Sequence, residues 1–505
     1  MRLSYALLAA GSFQAVQCAP SSSHNSGSDN LTIKTNLFTV RGAIFPNTTD
    51  VRFFGGIPYA EPPVGDLRFR PPATAKPRNE TLNATWFGPS CIQYSNGQHT
   101  VYSEYLTGFL LKPGQVQSED CLTLNIWAPK GSKEGDALPV MIWLHGGGHT
   151  SGGAASPYKY GHRIVRDQNV ILVALNYRLN IFGYPKAAAL DGHNLNPGLL
   201  DQRKAVEWVY QNIHAFGGAA DKMILFGQSA GAFSVDMYTY AYPSDPLVRG
   251  FIAQSGMADS STRTFDPFGS NFTYVASQVV CNSSVADEVF SCMQSAPASS
   301  LITVYNKYNA TLNNNAPLSF TPTPDNETVF ANYTDRQARG LFAHLPMLIS
   351  QTNDEGSSLL PFDPAGPAGG QAAIDQFTRS FSTCPSARGA LARKSWNVPV
   401  WRVRYFGEWP NLNPFEWLGA YHSSDIPMVF GTSDLRGPDT QMERETSRYY
   451  QAAWAAFVRD PEKGLVEYGW SMYDPIGETL VKLGNGSVGA VFTLGDVFDD
   501  GCGYG

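Results

Sequence analysis

The sequence predicts an α/β fold: a mostly parallel central sheet covered by helices on both faces, with further segments inserted between strands. Three observations predict it. Short apolar runs bounded by Gly, Pro or Asn alternate with stretches of helical period, and strands joined through helices run parallel. With 505 residues and 43% hydrophobic side chains, the chain can bury a large core. A serine in a Gly-Gln-Ser-Ala-Gly turn, Ser229, directly follows one of the apolar runs, Met223-Ile224-Leu225-Phe226.

The elements follow in order. "MRLSYALLAAGSFQAVQCAP" joins Arg2 to a short apolar stretch and small residues near Cys18 and Ala19, which reads as a secretory signal peptide over residues 1–18. From about Leu31 to Pro72, β-like runs alternate with turns. "LPVMIWLH" (138–145), "NVILVALNY" (169–177), "KMILFG" (222–227) and "GFIAQSG" (250–256) are predicted strands. "QRKAVEWVYQNI" (202–213) is a helix between two of them, with apolar residues at 205, 206, 208, 209 and 213. Residues 257–344 break this rhythm. They carry five N-x-S/T sequons, two cysteines and polar runs such as "NATLNNNAPLS", and read as a surface-facing cap insertion. The sheet resumes at "LPMLIS" (345–350) and "VPVWRVRYF" (398–406).

Composition sets bounds on partners and compartment. A net charge of −7 without long basic runs argues against nucleic acid as a partner. No apolar run in the body of the chain is long enough for a bilayer span, so no integral membrane association is expected. "DVFDDGCGYG" at the C-terminus has neither a hydrophobic tail nor a KDEL-like ending, so no GPI anchor or ER retention is expected. Ten sequons, at Asn30, Asn47, Asn79, Asn83, Asn271, Asn282, Asn309, Asn326, Asn332 and Asn485, are glycosylation candidates. Removing Cys18 with the leader leaves six of the seven cysteines, an even number consistent with three disulfides. Together these predict a secreted, extracellular glycoprotein. The sequence gives no oligomeric state.

The chemistry is read from Ser229 outwards. Small neighbours let its backbone take a strained turn, and strand, sharp turn and helix together hold a nucleophile proud of a sheet. Such sites order their groups along the chain as serine, acid, histidine. Only His344 and His422 follow Ser229. His344 precedes the strand "LPMLIS", at the end where functional groups do not gather. His422, in "GAYHSSDIPMVFG", lies after a later strand and is the predicted base. "LPMLISQTNDEGSS" places Asp354 and Glu355 just past a strand's carboxyl end; adjacent acids point opposite ways, so at most one of the two serves. Its task is to hold the imidazole tautomer and stabilise the charged form. "LHGGGH" (144–149) follows the strand "VMIWL", and its glycines can turn N–H groups inward at little steric cost. Ala230, after the serine, supplies the other oxyanion donor. His145 and His149 flank the glycines, but a glycine turn is no helix and no third ligand is near, so no metal is expected.

These segments resemble the type-B carboxylesterase/lipase family, which includes cholinesterases and Candida-type lipases. "FGGAADKMILFGQSAG" is similar to the family's active-site signature and "EDCLTLNIWAP" (119–129) to its second one. "FFGGIPYAEPPVGDLRFRPP" (53–72), "NYRLNIFGY" (176–184), "NPGLLDQRKAVEWVYQNI" (196–213), "NDEGSS" (353–358) and "YHSSDIPMVFG" (421–431) extend the likeness over about residues 31 to 490. The resemblance implies an α/β-hydrolase fold, with residues 19–505 as one catalytic domain and 257–344 as its cap. It implies Ser229 as nucleophile, Glu355 as acid and His422 as base, with Gly147, Gly148 and Ala230 as the oxyanion hole. It implies a Cys91–Cys121 disulfide closing a loop over the gorge and a Cys281–Cys292 disulfide in the cap, which leaves Cys384 and Cys502 to pair by elimination. It implies hydrolysis of small-molecule or lipid-like neutral carboxylic esters through an acyl-enzyme, with no cofactor.

Departures from the family sharpen the expectation. Gln228 stands where a cholinesterase has an acid, and the stretch from Cys91 to Cys121 holds Tyr94, Tyr102, Tyr105 and Phe109 but no Trp to hold a cation. Adhesion members of the fold lack the nucleophile, which is present here. "YLTGFLLKPG" (105–114) reads either as the mobile flap of a true lipase or as a packed loop. Glu355 and His422 are 67 residues apart, a shorter interval than in cholinesterases and Candida-type lipases. The expected result is a thinner wall and an open-mouthed esterase for bulky or aromatic esters.

Overall fold

The computed structural model describes residues 30–94, 99–260, 266, 268–310 and 318–503. The leader, residues 1–18, and the Asn309 side chain lie outside the described residues.

Among the described residues an eleven-stranded sheet forms the centre. In chain order its strands are β1 (Ala43–Ile44), β2 (Val51–Pro58), β3 (Thr123–Pro129), β4 (Leu138–Leu144), β5 (Ile171–Leu175), β6 (Gly218–Gln228), β7 (Gly250–Gln254), β8 (Met347–Thr352), β9 (Val400–Tyr405), β10 (Glu478–Leu483) and β11 (Val491–Leu494). In space they run β11-β10-β9-β8-β7-β6-β4-β5-β3-β2-β1. Every neighbouring pair from β5 to β10 is parallel. The antiparallel members are β1 to β3 at one edge and β11 at the other. This is a mostly parallel sheet of the α/β-hydrolase kind.

The central strands are continuous apolar runs because both faces are covered. Residues Val140, Ile142 and Leu144 of β4 enter one core, and Met141 and Trp143 enter the other, on the opposite face. The predicted strands are all present. The helix expected at 202–213 begins earlier, as α1 (Pro197–Asn212). Pro197-Gly198 reads as a loop in sequence, but a proline at the first helical turn costs no hydrogen bond. α2 (Ala230–Ala241) leaves directly from the end of β6.

Between β7 and β8 the chain inserts helices Ser270–Gln278, Ala286–Ser295, Ala298–Ala310 and Tyr333–Ala338. They bury Phe272, Phe290, Met293 and Leu301 against Phe69 and Phe182, a third apolar cluster. Disulfides join Cys91 to Cys121, Cys281 to Cys292, and Cys384 to Cys502. Asn47, Asn79, Asn83, Asn282, Asn326, Asn332 and Asn485 are exposed, and Asn30 and Asn271 partly so. Asn271 and Asn332 also hold structure: the first donates to Ser319 O and the second caps the helix at Tyr333. No helix of the described residues is long and apolar enough to cross a membrane.

Candidate active site

Ser229 joins β6 to α2 with φ 56° and ψ −125°, a conformation that costs a non-glycine residue about 1–3 kcal/mol. The backbone around it fixes the turn. Ser229 N–H donates to Gln254 O on β7 (2.8 Å), and its carbonyl accepts from Phe233 N (2.9 Å). The glycines on either side are required for space. A Cβ on Gly231 would lie 2.0 Å from Leu144 O, and one on Gly227 would lie 2.6 Å from the Gly231 carbonyl. The start of α2 therefore rests directly on the carboxyl end of β4.

The glycine loop after β4 lies against the same turn. A Cβ on Gly146 would stand 2.9 Å from Ser229 Cβ. Gly147 has φ 120° and Gly148 φ 64°, and a Cβ on Gly147 would meet Ser151 O at 2.2 Å. Thr150 and Ser151 N–H groups both close on Gly147 O at 3.0 Å. His145 contacts its neighbour's carbonyl, Gly146 O (2.9 Å), and stacks on Tyr177; His149 bonds Ser234 Oγ (3.0 Å). Burial pushes both imidazoles down to about 3, so they stay neutral. They serve as packing groups of the loop. Among the described residues, no three His, Cys, Asp or Glu side chains are grouped to hold a metal ion.

Glu355 opens the short helix α3 (Glu355–Leu359), just beyond β8. Its Oε2 accepts from His422 Nδ1, and its Oε1 accepts from Thr352 N (2.9 Å). Glu355 is fully buried and His422 is 3% exposed. Burial alone would raise the Glu355 pKa. The His422 charge and hydrogen bond, with help from Ser255 and Thr352, outweigh it and hold the carboxyl below its ordinary range. With Nδ1–H donating its hydrogen bond to the carboxylate, Nε2 is the imidazole's acceptor. That atom lies 3.0 Å from Gln228 Nε2, whose N–H donates to it. Gln228 is the residue before Ser229, so this bond ties the imidazole to the chain next to the strained turn.

The geometry separates the adjacent acids. Asp354 turns away from His422 and accepts from Ala420 N (3.1 Å), Asn353 Nδ2 (3.0 Å) and Gln371 Nε2 (3.3 Å). His344 is exposed, with Nε2 3.1 Å from Gly340 O, at the other end of β8.

Two neighbours of the His422 segment are not marked as such by the sequence. Tyr102, in the loop closed by Cys91–Cys121, donates to the His422 carbonyl and pairs with Ser358 Oγ (2.9 Å). Asp425, wholly buried three residues after His422, accepts from Gln254 Nε2 (2.7 Å). Both residues stand plainly in the sequence, but no spacing rule marks a tyrosine or a third acid as a neighbour of the base. Burial pushes the Asp425 carboxyl up to about 7, with Glu355 adding to the rise. An acid raised on folding binds more protons folded than unfolded, so it loses stability for the protein as pH climbs from about 4 to 7. Asp425→Asn is expected to raise stability by roughly 2–4 kcal/mol at pH 8 and by nothing below pH 4, read from denaturant unfolding at both values.

Within residues 105–114 two side chains are buried and Tyr105 and Leu110 are exposed. Leu106 is fully buried, Phe109 packs on Tyr158 and Tyr421, and Tyr105 packs on Phe415 and Phe362.

A model described as the carboxylesterase family matches residues 29–381. The chain belongs to the carboxylesterase family. This esterase, a carboxylic ester hydrolase, is 41% identical over 457 residues to a chlorogenic acid esterase of Aspergillus niger, covering 90% of this chain and 87% of that protein. It is 35% identical over 488 residues to secreted lipase 5 of Gibberella zeae, covering 89% and 90%. It is 29% identical over 462 residues to a para-nitrobenzyl esterase of Bacillus subtilis, covering 84% and 90%.

Proposed function

We propose that this esterase is secreted and hydrolyses neutral carboxylic esters, those of aromatic acids among them, through Ser229, His422 and Glu355. The observation that carries the proposal is the buried Glu355–His422 pair, whose second imidazole nitrogen accepts from Gln228, the residue before Ser229. Ser229 Oγ attacks the ester carbonyl while His422 Nε2 takes its proton. The carbonyl oxygen becomes an oxyanion held by N–H groups of Gly147, Gly148 and Ala230, each such donor being worth about 3–4 kcal/mol. Collapse breaks the bond to the alcohol oxygen, which leaves with the proton from His422, and an acyl-Ser229 remains. Water, deprotonated by His422, attacks the acyl carbon; the bond to Ser229 Oγ breaks as His422 returns the proton to Oγ, and the acid leaves. Glu355 stays ionised and stabilises the imidazolium.

Three disulfides and the leader-like start support secretion. The chlorogenic acid esterase relative supports aromatic-acid esters, since chlorogenic acid is one.

The relative named a secreted lipase favours a second reading, a lipase switched on at an oil–water interface. The packing of residues 105–114 opposes it, because a flap with buried Leu106 and Phe109 has little freedom to open. The test is to measure rate against ester concentration through the solubility limit, on a panel varied in acyl group and alcohol. The expected curve saturates on dissolved ester with no jump where droplets form. A sharp rise at that point, with little activity below it, makes lipase the better reading.

A further inference from the structure

We propose that Phe233, Phe377 and Phe381 form a subsite that takes a planar aromatic group of the ester. The inference rests on the function proposed above and names the substrate group that the site selects.

The rings come from two elements. Phe233 lies on α2, where its backbone N–H donates to Ser229 O. Phe377 lies on α4 (Gly370–Thr378), and Phe381 on the turn that follows it. This turn, Arg379–Thr383, is a five-residue π-helix that leads straight into α5 (Cys384–Ser395). Wide turns of this kind interrupt α-helices frequently at functional sites. This turn carries Phe381, whose ring meets the His422 imidazole edge-on at 5.5 Å and 79°. Phe233 meets Phe381 at 5.6 Å and 74°, and Phe377 stacks on it at 5.3 Å and 24°. The three rings make one aromatic wall running from the helix of the proposed nucleophile to the base.

The wall is held rigidly. Thr378 Oγ1, just before the wide turn, accepts from Gly356 N (3.1 Å), and Thr383 Oγ1, at its end, accepts from Gln351 Nε2 (2.9 Å). Gly356, next to Glu355, is needed for the fit, since a Cβ there would lie 3.0 Å from Phe377 Cβ. All three rings keep part of their surface exposed, while the His422–Glu355 pair beneath is buried. Exposed apolar rings beside a buried polar pair gain by covering with another ring. Edge-to-face and offset-stacked partners add to the gain from area alone, so a flat aromatic group is preferred over an alkyl chain of equal size.

The ring could belong to the acid or to the alcohol, and the experiment has an arm for each. Methyl cinnamate is compared with methyl octanoate, and benzyl hexanoate with hexyl hexanoate, in wild type, Phe381→Ala, Phe381→Tyr, Phe233→Ala and Phe377→Ala. The readout is the aromatic-to-aliphatic ratio of kcat/KM. In at least one arm, Phe381→Ala is expected to lower that ratio roughly tenfold, and Phe381→Tyr to restore it. The arm that responds says which part of the ester carries the ring. A loss that is equal on aromatic and aliphatic esters in both arms overturns the proposal, because it shows only a disturbed His422. If Phe381→Ala does not fold, the ratios of Phe233→Ala and Phe377→Ala, neither of which removes the ring against His422, decide the matter in the same way. Ser229→Ala run alongside separates the two levels. Activity surviving in that variant defeats the proposed mechanism, whereas an inactive Ser229→Ala with unmoved ratios defeats the subsite alone.

Discussion

Ser229→Ala is expected to lower kcat/KM for every ester by about a millionfold, since serine and histidine in such a site act as one unit and removing either costs nearly the whole catalytic effect. The fold is expected to survive. The turn is held by Ser229 N–H on Gln254 O and by Phe233 N–H on the Ser229 carbonyl, bonds that alanine keeps. Alanine also pays the same backbone strain at φ 56° as serine does. Thermal midpoints of the two proteins should therefore coincide within error. An organophosphate should attach to the wild type at Ser229, found by peptide mass spectrometry, and should not attach to the variant. Label on another serine, or activity above about a thousandth of wild type, would assign the nucleophile elsewhere.

What could be read from sequence follows from what forces each feature. The serine turn was legible because its glycines are steric necessities: Gly231 has no room for a Cβ against Leu144 O. The central strands were legible because burial on both faces demands unbroken apolar runs. His422 is the predicted base by counting, since only two histidines follow Ser229. Asp354 and Glu355 could not be separated by spacing. Asp354 pairs with Tyr421 in a backbone bridge that aims its side chain at Ala420 N, and only its neighbour opens α3 toward the imidazole. Contacts between distant segments left no trace. Tyr102 and His422 are 320 residues apart, and Gln254 and Asp425 are 171 apart. The nature of 105–114 was undecidable for a similar reason: an apolar stretch reads alike whether its partners, here Tyr158, Tyr421, Phe362 and Phe415, hold it down or let it swing. The wide turn that carries Phe381 depends on side chains at both its ends bonding back to segments around β8, which no local pattern encodes.

Glu355→Gln is expected to cost about 10⁴-fold in kcat with little change in shape. The carboxylate accepts two bonds, from Thr352 N at Oε1 and from His422 Nδ1 at Oε2. A glutamine keeps the first with its carbonyl oxygen and offers an NH2 group where the second was. Two donors cannot face each other, so the imidazole proton moves to Nε2, where the Gln228 amide turns its oxygen to accept it, and Nδ1 becomes the acceptor. Nε2 is then protonated in the resting enzyme and cannot take the proton of Ser229. The charge that would stabilise the imidazolium is lost as well. Stability reports the same pair through its pH dependence. The Glu355 pKa is depressed on folding, so its contribution is present above the unfolded carboxylate pKa and is lost as pH falls through the lower, folded value. The wild type should therefore lead Glu355→Gln in thermal midpoint near pH 7, and the lead should shrink under acid conditions. Asp354→Asn is the control one residue away. Its partners are Ala420 N, Asn353 and Gln371, none of which touches the imidazole, so it is expected to keep kcat within about tenfold of wild type, a change of 1.4 kcal/mol in barrier. Equal losses in the two variants would mean that the acid loop acts through its folding and not through the bond from Glu355 to His422.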